Sequence, residues 1–256
     1  IDGPSLAEVI AEMRNERNLA DETVVARQTD TERHSCDDER QESKDTVVAK
    51  GADVLTQDED GGHYRAVARI GKEAAEALQS AHDKGVLHRD IKPSNLLLDK
   101  TGHVWIADFG LARVEDESQL TRTGDILGTL RYMSPEQAKG DRLDTRTDIY
   151  SLGATLYELA TLQPAYDSED RRDIIKQVLA GHPRTPHIVD ARFPHPLSLV
   201  ISKAMARLDE RYQSAAELAD DLQRFLDGEP VRARRPSPLP RVRRTLYRHP
   251  IITLSS

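Results

Sequence analysis

Residues 88–98 read His88-Arg89-Asp90-Ile91-Lys92-Pro93-Ser94-Asn95-Leu96-Leu97-Leu98, and residues 104–110 read Val104-Trp105-Ile106-Ala107-Asp108-Phe109-Gly110. Between them, Asp99-Lys100-Thr101-Gly102 has the composition of a tight turn. Two short apolar runs joined by such a turn predict a β-hairpin. The polar loop that precedes the first strand and the acidic residue that follows the second then lie at the same end of the hairpin. Trp105, inside the second strand, reads as a core residue.

Outward from the hairpin the periodicity is helical. Upstream, Val67, Ile70, Ala74, Leu78 and Ala81 step by three and four, which predicts a helix over 64–84 that stops at Gly85. Ser5 is suited to cap a short helix over 4–14, with Leu6, Val9, Ile10 and Met13 on one face. Downstream, helices are expected at 147–162, 169–180, 195–207 and 214–226, with Pro-rich loops at 183–196. The fold class expected is mainly α with one small β-hairpin.

Composition narrows the function. The chain has 256 residues, a net charge of −8 and a single cysteine, Cys36. A disulfide framework within the chain is excluded, and the Cys pairs of a zinc site are absent. The acidic balance argues against a general nucleic-acid binder. With aromatics at 4%, the core must rest on Leu, Ile, Val and Ala. Residues 16–60 hold 14 acidic and 6 basic side chains and no aromatic. Such a stretch buries too little apolar surface to offset the cost of ordering it, and reads as a disordered insertion or, more sharply, a docking segment. From residue 231 onward there are seven Arg and no Asp or Glu, which leaves −15 on residues 1–230. His182, His187 and His195 read as loop surface rather than a metal site, and Cys36 as an inert exposed thiol.

Four motifs in order carry a resemblance. The loop His88-Arg89-Asp90-Ile91-Lys92-Pro93-Ser94-Asn95 is followed by Asp108-Phe109-Gly110, by Gly128-Thr129 ahead of Ser134-Pro135-Glu136, and by Asp148-Ile149-Tyr150-Ser151-Leu152-Gly153. In type and spacing this resembles the protein kinase family, specifically the bacterial eukaryotic-like serine/threonine kinases. The resemblance implies the C-terminal lobe of the protein-kinase-like fold (α+β), with the N-terminal lobe absent. No G-x-G-x-x-G lid and no strand lysine precede His88. It implies a division into 1–14 (post-hinge segment and short helix), 15–62 (acidic insertion), 63–228 (C-terminal lobe) and 229–256 (basic, juxtamembrane-like tail).

Phosphoryl transfer depends on positioned charge more than on covalent chemistry. Asp90 can accept the proton of an incoming hydroxyl, and Lys92 can steady the transferring phosphoryl. Asn95 and Asp108 offer hard oxygens for Mg2+. The resemblance assigns them those roles: Asp90 the catalytic base, Lys92 its partner, Asn95 and Asp108 the magnesium ligands. Leu97 it sets beneath the ATP cleft. Lys92 and Thr129 point to the serine/threonine branch. An arginine at 89 implies control by phosphorylation of a loop offering Ser118, Thr121 and Thr123. His88, Phe109 and Gly110 match packing positions, Asp148 an anchor for the catalytic-loop backbone, and Glu136 and Arg211 an ion pair. The Asp-Pro pair usual before that arginine is missing, which puts the pairing in question.

The partners implied are ATP and a protein with a Ser or Thr acceptor, with no nucleic acid. The tail reads either as a solvated linker or as arginines flanking a membrane span beyond residue 256, in which case the chain is the cytoplasmic domain of a single-pass protein. As a C-lobe fragment it is expected to be inactive alone. The alternative from another class is a non-catalytic scaffold or binding module.

Overall fold

The structure is a computed structural model that describes residues 3–30, 62–109, 128–181 and 183–234, with the backbone alone over 20–30. Gly110, Ser118, Thr121, Thr123, Cys36 and His182 lie outside the described residues, as do 31–61 and the tail beyond 234.

The elements run in chain order: α1 (Leu6–Asp30), α2 (Gly62–His82), a 3-10 turn (Pro93–Asn95), β1 (Leu96–Leu98), β2 (Val104–Ile106), α3 (Pro135–Lys139), α4 (Arg146–Thr161), α5 (Arg171–Ala180), α6 (Pro186–Val189), α7 (His195–Ala204) and α8 (Ala215–Leu226). The centre is α4. Every residue from Thr147 to Thr161 is buried, so this helix has no solvent face. Helix α2 lays Val67, Ile70, Ala74 and Leu78 against α4 and α8, and α7 closes the other side of α4. Close approach is written into two glycines. A Cβ at Gly153 would sit 2.8 Å from the Ala204 Cβ, and one at Gly71 would sit 2.7 Å from a Leu156 methyl. Leu, Ile, Val and Ala fill most of the core, with Tyr150, Tyr157, Tyr166 and Tyr212 as the large exceptions.

The hairpin pairs Leu96 with Ile106, Leu97 with Trp105 and Leu98 with Val104. The chain start joins it: Ser5 bridges Leu97, and the Leu98 N–H donates to the Pro4 carbonyl at 2.9 Å. Only glycine fits beside that contact, because a Cβ on Gly3 would lie 1.6 Å from the Leu98 oxygen.

Three expectations need correction, those for α1, Trp105 and the 183–196 loop. Helix α1 does not end at residue 14 but continues to Asp30, into the stretch assigned to the acidic insertion. Its first turns are fixed by burial of Leu6, Val9, Ile10 and Met13 and by a reciprocal Ser5–Glu8 cap. A helix once nucleated extends through polar residues that have adequate propensity. Trp105 is not core: it is 50% exposed, and its indole N–H donates to Asp99 at 3.0 Å. Strand alternation turns Leu96 and Leu98 inward, so Leu97 and its cross-strand partner Trp105 share the opposite face. Phe109 packs edge-on against the buried His88 ring at 4.7 Å yet remains 41% exposed. Within the Pro-rich 183–196 stretch a short helix forms, because Pro186 stands at its first position, where no N–H is needed.

Candidate active site

The loop between α2 and β1 is held from below by one carboxylate. Asp148, in the first turn of α4 and fully buried, accepts from the His88 N–H (2.9 Å), the Arg89 N–H (2.7 Å) and His82 Nε2 (2.8 Å). Burying a carboxylate is costly unless its oxygens are hydrogen-bonded, and here three donors meet them. The reward is backbone geometry. Arg89 sits at φ 72°, a left-handed conformation that is uncommon for a long side chain. His88 anchors the loop to the hairpin, its Nε2 lying 2.8 Å from the Ala107 carbonyl, while the Ala107 N–H donates to the Asn95 carbonyl at 2.9 Å. The two chain segments that carry the acidic groups are thereby tied together.

Above this frame the polar side chains converge. Lys92 Nζ lies 2.8 Å from Asp90 Oδ2 and donates to Thr129 Oγ1 at 3.1 Å. Asn95 Nδ2 donates to the Asp90 carbonyl (2.7 Å) and reaches its Oδ2 (3.2 Å). The Asp90 carboxylate is about a quarter exposed, so it is both positioned and reachable. Asp108 takes φ 62°, and its side chain is exposed with no hydrogen-bond partner among the described residues. Leu97 lies on the outer hairpin face, half-buried. Asp90, Lys92, Asn95 and Thr129 are thus brought into one cluster, with Asp108 one residue from the Ala107 link.

Below and beside the cluster, the Ser134-Pro135-Glu136 segment is locked to the far end of the chain. Arg211 and Glu136 form a buried, two-pronged pair at 2.6 and 3.3 Å. The guanidinium also donates to the Ala206 and Arg146 carbonyls and stacks 4.8 Å from the Tyr150 ring centre. No proline is needed to deliver it, since the turn 207–211 closes through donation from the Arg211 N–H to the Arg207 carbonyl at 2.9 Å. Burial alone would raise the Glu136 carboxyl, but the Arg211 hydrogen bonds and charge outweigh it and hold the group below its usual value.

Several residues that do comparable work escaped the sequence reading. Glu158 of α4 accepts from Arg14 of α1 at 2.6 Å and from the Tyr132 hydroxyl, and burial followed by the Glu158 charge pushes that phenol far upward. Glu73 of α2 accepts from the Val104 N–H at 3.0 Å and so fixes the hairpin to the helix. Asp221 of α8 accepts from the Tyr212 hydroxyl (2.8 Å) and the Arg232 N–H (2.7 Å). Gln137 of α3 donates to the Arg89 carbonyl at 2.7 Å. A Ser-x-x-Gln capping pattern at 134–137 was a visible signal for that helix start; the long-range contact was not. His187 lies 3.2 Å from Ser198 Oγ and 5.8 Å, ring to ring, from His195, and no group of three or more His, Cys, Asp or Glu suited to a metal occurs among the described residues.

A carboxylate braced by a lysine and an asparagine, on a loop pinned by a buried aspartate at the head of a central helix, defines a lobe of the phosphotransferase type used by protein kinases. The comparisons agree: the protein kinase domain model matches residues 45–230, and the chain belongs to that family, in its bacterial eukaryotic-like serine/threonine branch. The match begins at residue 45, inside the stretch assigned to the insertion. The chain is 40% identical over 161 residues to a probable serine/threonine-protein kinase of Streptomyces coelicolor, covering 62% of this chain and 24% of that protein. It is 40% identical over 164 residues to serine/threonine-protein kinase PknB of Mycobacterium tuberculosis, covering 63% and 26%. A probable serine/threonine-protein kinase of Corynebacterium efficiens is 42% identical over 154 residues, covering 57% and 23%. The chain thus spans about a quarter of the length of the curated relatives it matches.

Proposed function

We propose that the protein transfers the γ-phosphoryl group of Mg-ATP to Ser or Thr hydroxyls of proteins. The observation that carries this reading is the Asp90 carboxylate, set between Lys92 Nζ and Asn95 Nδ2 and left open to an incoming hydroxyl. Asp90 orients that hydroxyl and takes its proton as the bond to phosphorus forms. Lys92 neutralises charge on the phosphoryl oxygens while its second contact, Thr129, sets its direction.

The donor set suits magnesium. Asn95 commits its Nδ2 to Asp90, which leaves the amide oxygen as the metal-capable atom, and the exposed Asp108 carboxylate has no competing donor among the described residues. Mg2+ is ordinarily held by one or two such oxygens together with nucleotide phosphates, so a nucleotide-borne ion fits better than a stand-alone metal site. When bound, the ion supplies neutralisation of the phosphate charge. The same reading keeps Arg89 as a docking point for an activating phosphate on Ser118, Thr121 or Thr123. The domain limits 1–14, 15–62, 63–228 and 229–256 stay part of it, as does a cytoplasmic placement with membrane attachment through a span after residue 256. No helix among the described residues is long and apolar enough to cross a membrane.

The test is radiolabelled phosphate transfer from ATP to a generic Ser/Thr substrate. The intact protein should incorporate label, this chain alone should not, and Asp90→Asn should lower kcat of the intact protein by roughly 100-fold or more. Unchanged transfer in Asp90→Asn would refute the assignment. A chain that binds partners while neither form transfers phosphate would favour the scaffold reading.

A further inference from the structure

Arg89, directly before Asp90 in the catalytic loop, has both of its backbone polar groups gripped. On the Arg89 N–H, Asp148 Oδ1 accepts at 2.7 Å; on the Arg89 carbonyl, Gln137 Nε2 donates at 2.7 Å. The residue between the two grips holds a left-handed φ of 72°, which an arginine does not adopt without support from its surroundings. Asp148 belongs to the buried central helix and cannot move independently. Gln137 belongs to α3, the five-residue helix that closes the Ser-Pro-Glu segment. Its other amide atom is equally committed: Oε1 accepts from the Ser134 N–H at 2.9 Å, while the Ser134 hydroxyl accepts from the Gln137 N–H at 3.2 Å. One side chain therefore spans the start of α3 and the carbonyl directly before Asp90.

We infer that Gln137 is a positioning residue for Asp90, coupling the end of the activation segment to the catalytic loop. The inference rests on the catalytic reading of Asp90 given above. The two functions of the amide separate chemically. An ionised glutamate at 137 still accepts from the Ser134 N–H, and glutamate is a usual partner in such a cap, but it has no hydrogen to give the Arg89 carbonyl. A cap role alone predicts that Gln137→Glu is silent; a positioning role predicts that it is not.

The experiment is amide hydrogen exchange on the intact protein near pH 7, beside phosphoryl-transfer kinetics. In Gln137→Glu, exchange across 88–92 should quicken roughly three- to tenfold, the scale of one lost hydrogen bond, while exchange across 134–140 stays as in the parent. In Gln137→Ala both stretches should quicken. Turnover of Gln137→Glu should fall roughly 10- to 100-fold with KM for ATP nearly constant, because the base is displaced and the nucleotide site is not. Exchange at 88–92 and kcat both unchanged in Gln137→Glu would overturn the inference. If the intact parent transfers no phosphate, the catalytic reading fails by itself, and exchange at 88–92 still decides whether Gln137 holds the loop.

Discussion

Single residues in this molecule matter through what they leave behind when removed. Arg211 is fully buried against Glu136, whose side chain is only 8% exposed. Arg211→Ala strands a buried carboxylate and two backbone carbonyls, and we expect a loss of about 3–5 kcal/mol in urea unfolding, as for one-sided removal of a buried pair. Asp148→Ala strips three donors at once. It should cost about 1–3 kcal/mol for each donor that finds no water, and should abolish the proposed transfer even where the fold survives. The gathering of Asp90, Lys92 and Asn95, with Asp108 close by, was legible because type and spacing repeat a known pattern over a short loop. The supports were not legible. Gln137 and Arg89 are 48 positions apart, Arg14 and Glu158 are 144 apart, and no local pattern relates them.

Elements differ in how firmly sequence dictates them. Helix α2 shows its buried stripe plainly, and expected and observed limits (64–84 against Gly62–His82) differ by two residues at each end. Helix α1 does not, because beyond Arg14 its residues are mostly polar, and the stripe that drives the first turns stops there. Ile10→Ala should cost about 2–5 kcal/mol, since the residue is 2% exposed. The sign of Gly153→Ala is less obvious. Alanine gains about 1 kcal/mol of helix propensity over glycine. Its Cβ, however, meets Ala204 at 2.8 Å and Met205 at 3.0 Å, and overpacking costs about 1–3 kcal/mol. The Ala204 neighbour has no rotamer with which to yield, so we expect a net lowering of Tm. Trp105 shows the converse limit: alternation along the strand fixes which residues share a face, but not which face the rest of the molecule covers.

Across the whole molecule, the ionisable groups define a window of stability. Glu136, Asp144 and Asp190 all titrate below their usual values in the folded state: Glu136 through Arg211 acting against burial, Asp144 through its bond to Arg146, and Asp190 through its bond to Arg192. Lowered carboxylates stabilise above their unfolded values, near 4, and that contribution is lost as pH falls through the folded ones. Tyr132, Tyr150, Tyr166 and Tyr212 are shifted the other way, chiefly by burial, Tyr166 to about 12. Their contribution is complete below the unfolded value, near 10, and is lost as pH rises through the folded ones. Burial lowers the His63 imidazole from its usual 6.5, so the acid-side loss begins there, and Tm plotted against pH should be flat only from about 7 to 9 and fall on both sides. A maximum confined to one flank would contradict these assignments.

The strand contact at the chain start carries a kinetic implication. Residues 3–5 reach the hairpin across about 90 residues, whereas β1 and β2 meet across a five-residue connection. Closing so long a loop costs about 4 kcal/mol of chain entropy before any contact repays it, while a hairpin closes on the microsecond scale. The bridging segment 3–5 is therefore a late guest: it seals an edge that the remainder of the lobe has already built. Gly3→Ala, which sets a methyl against the Leu98 oxygen, should then quicken unfolding and leave the refolding rate nearly untouched.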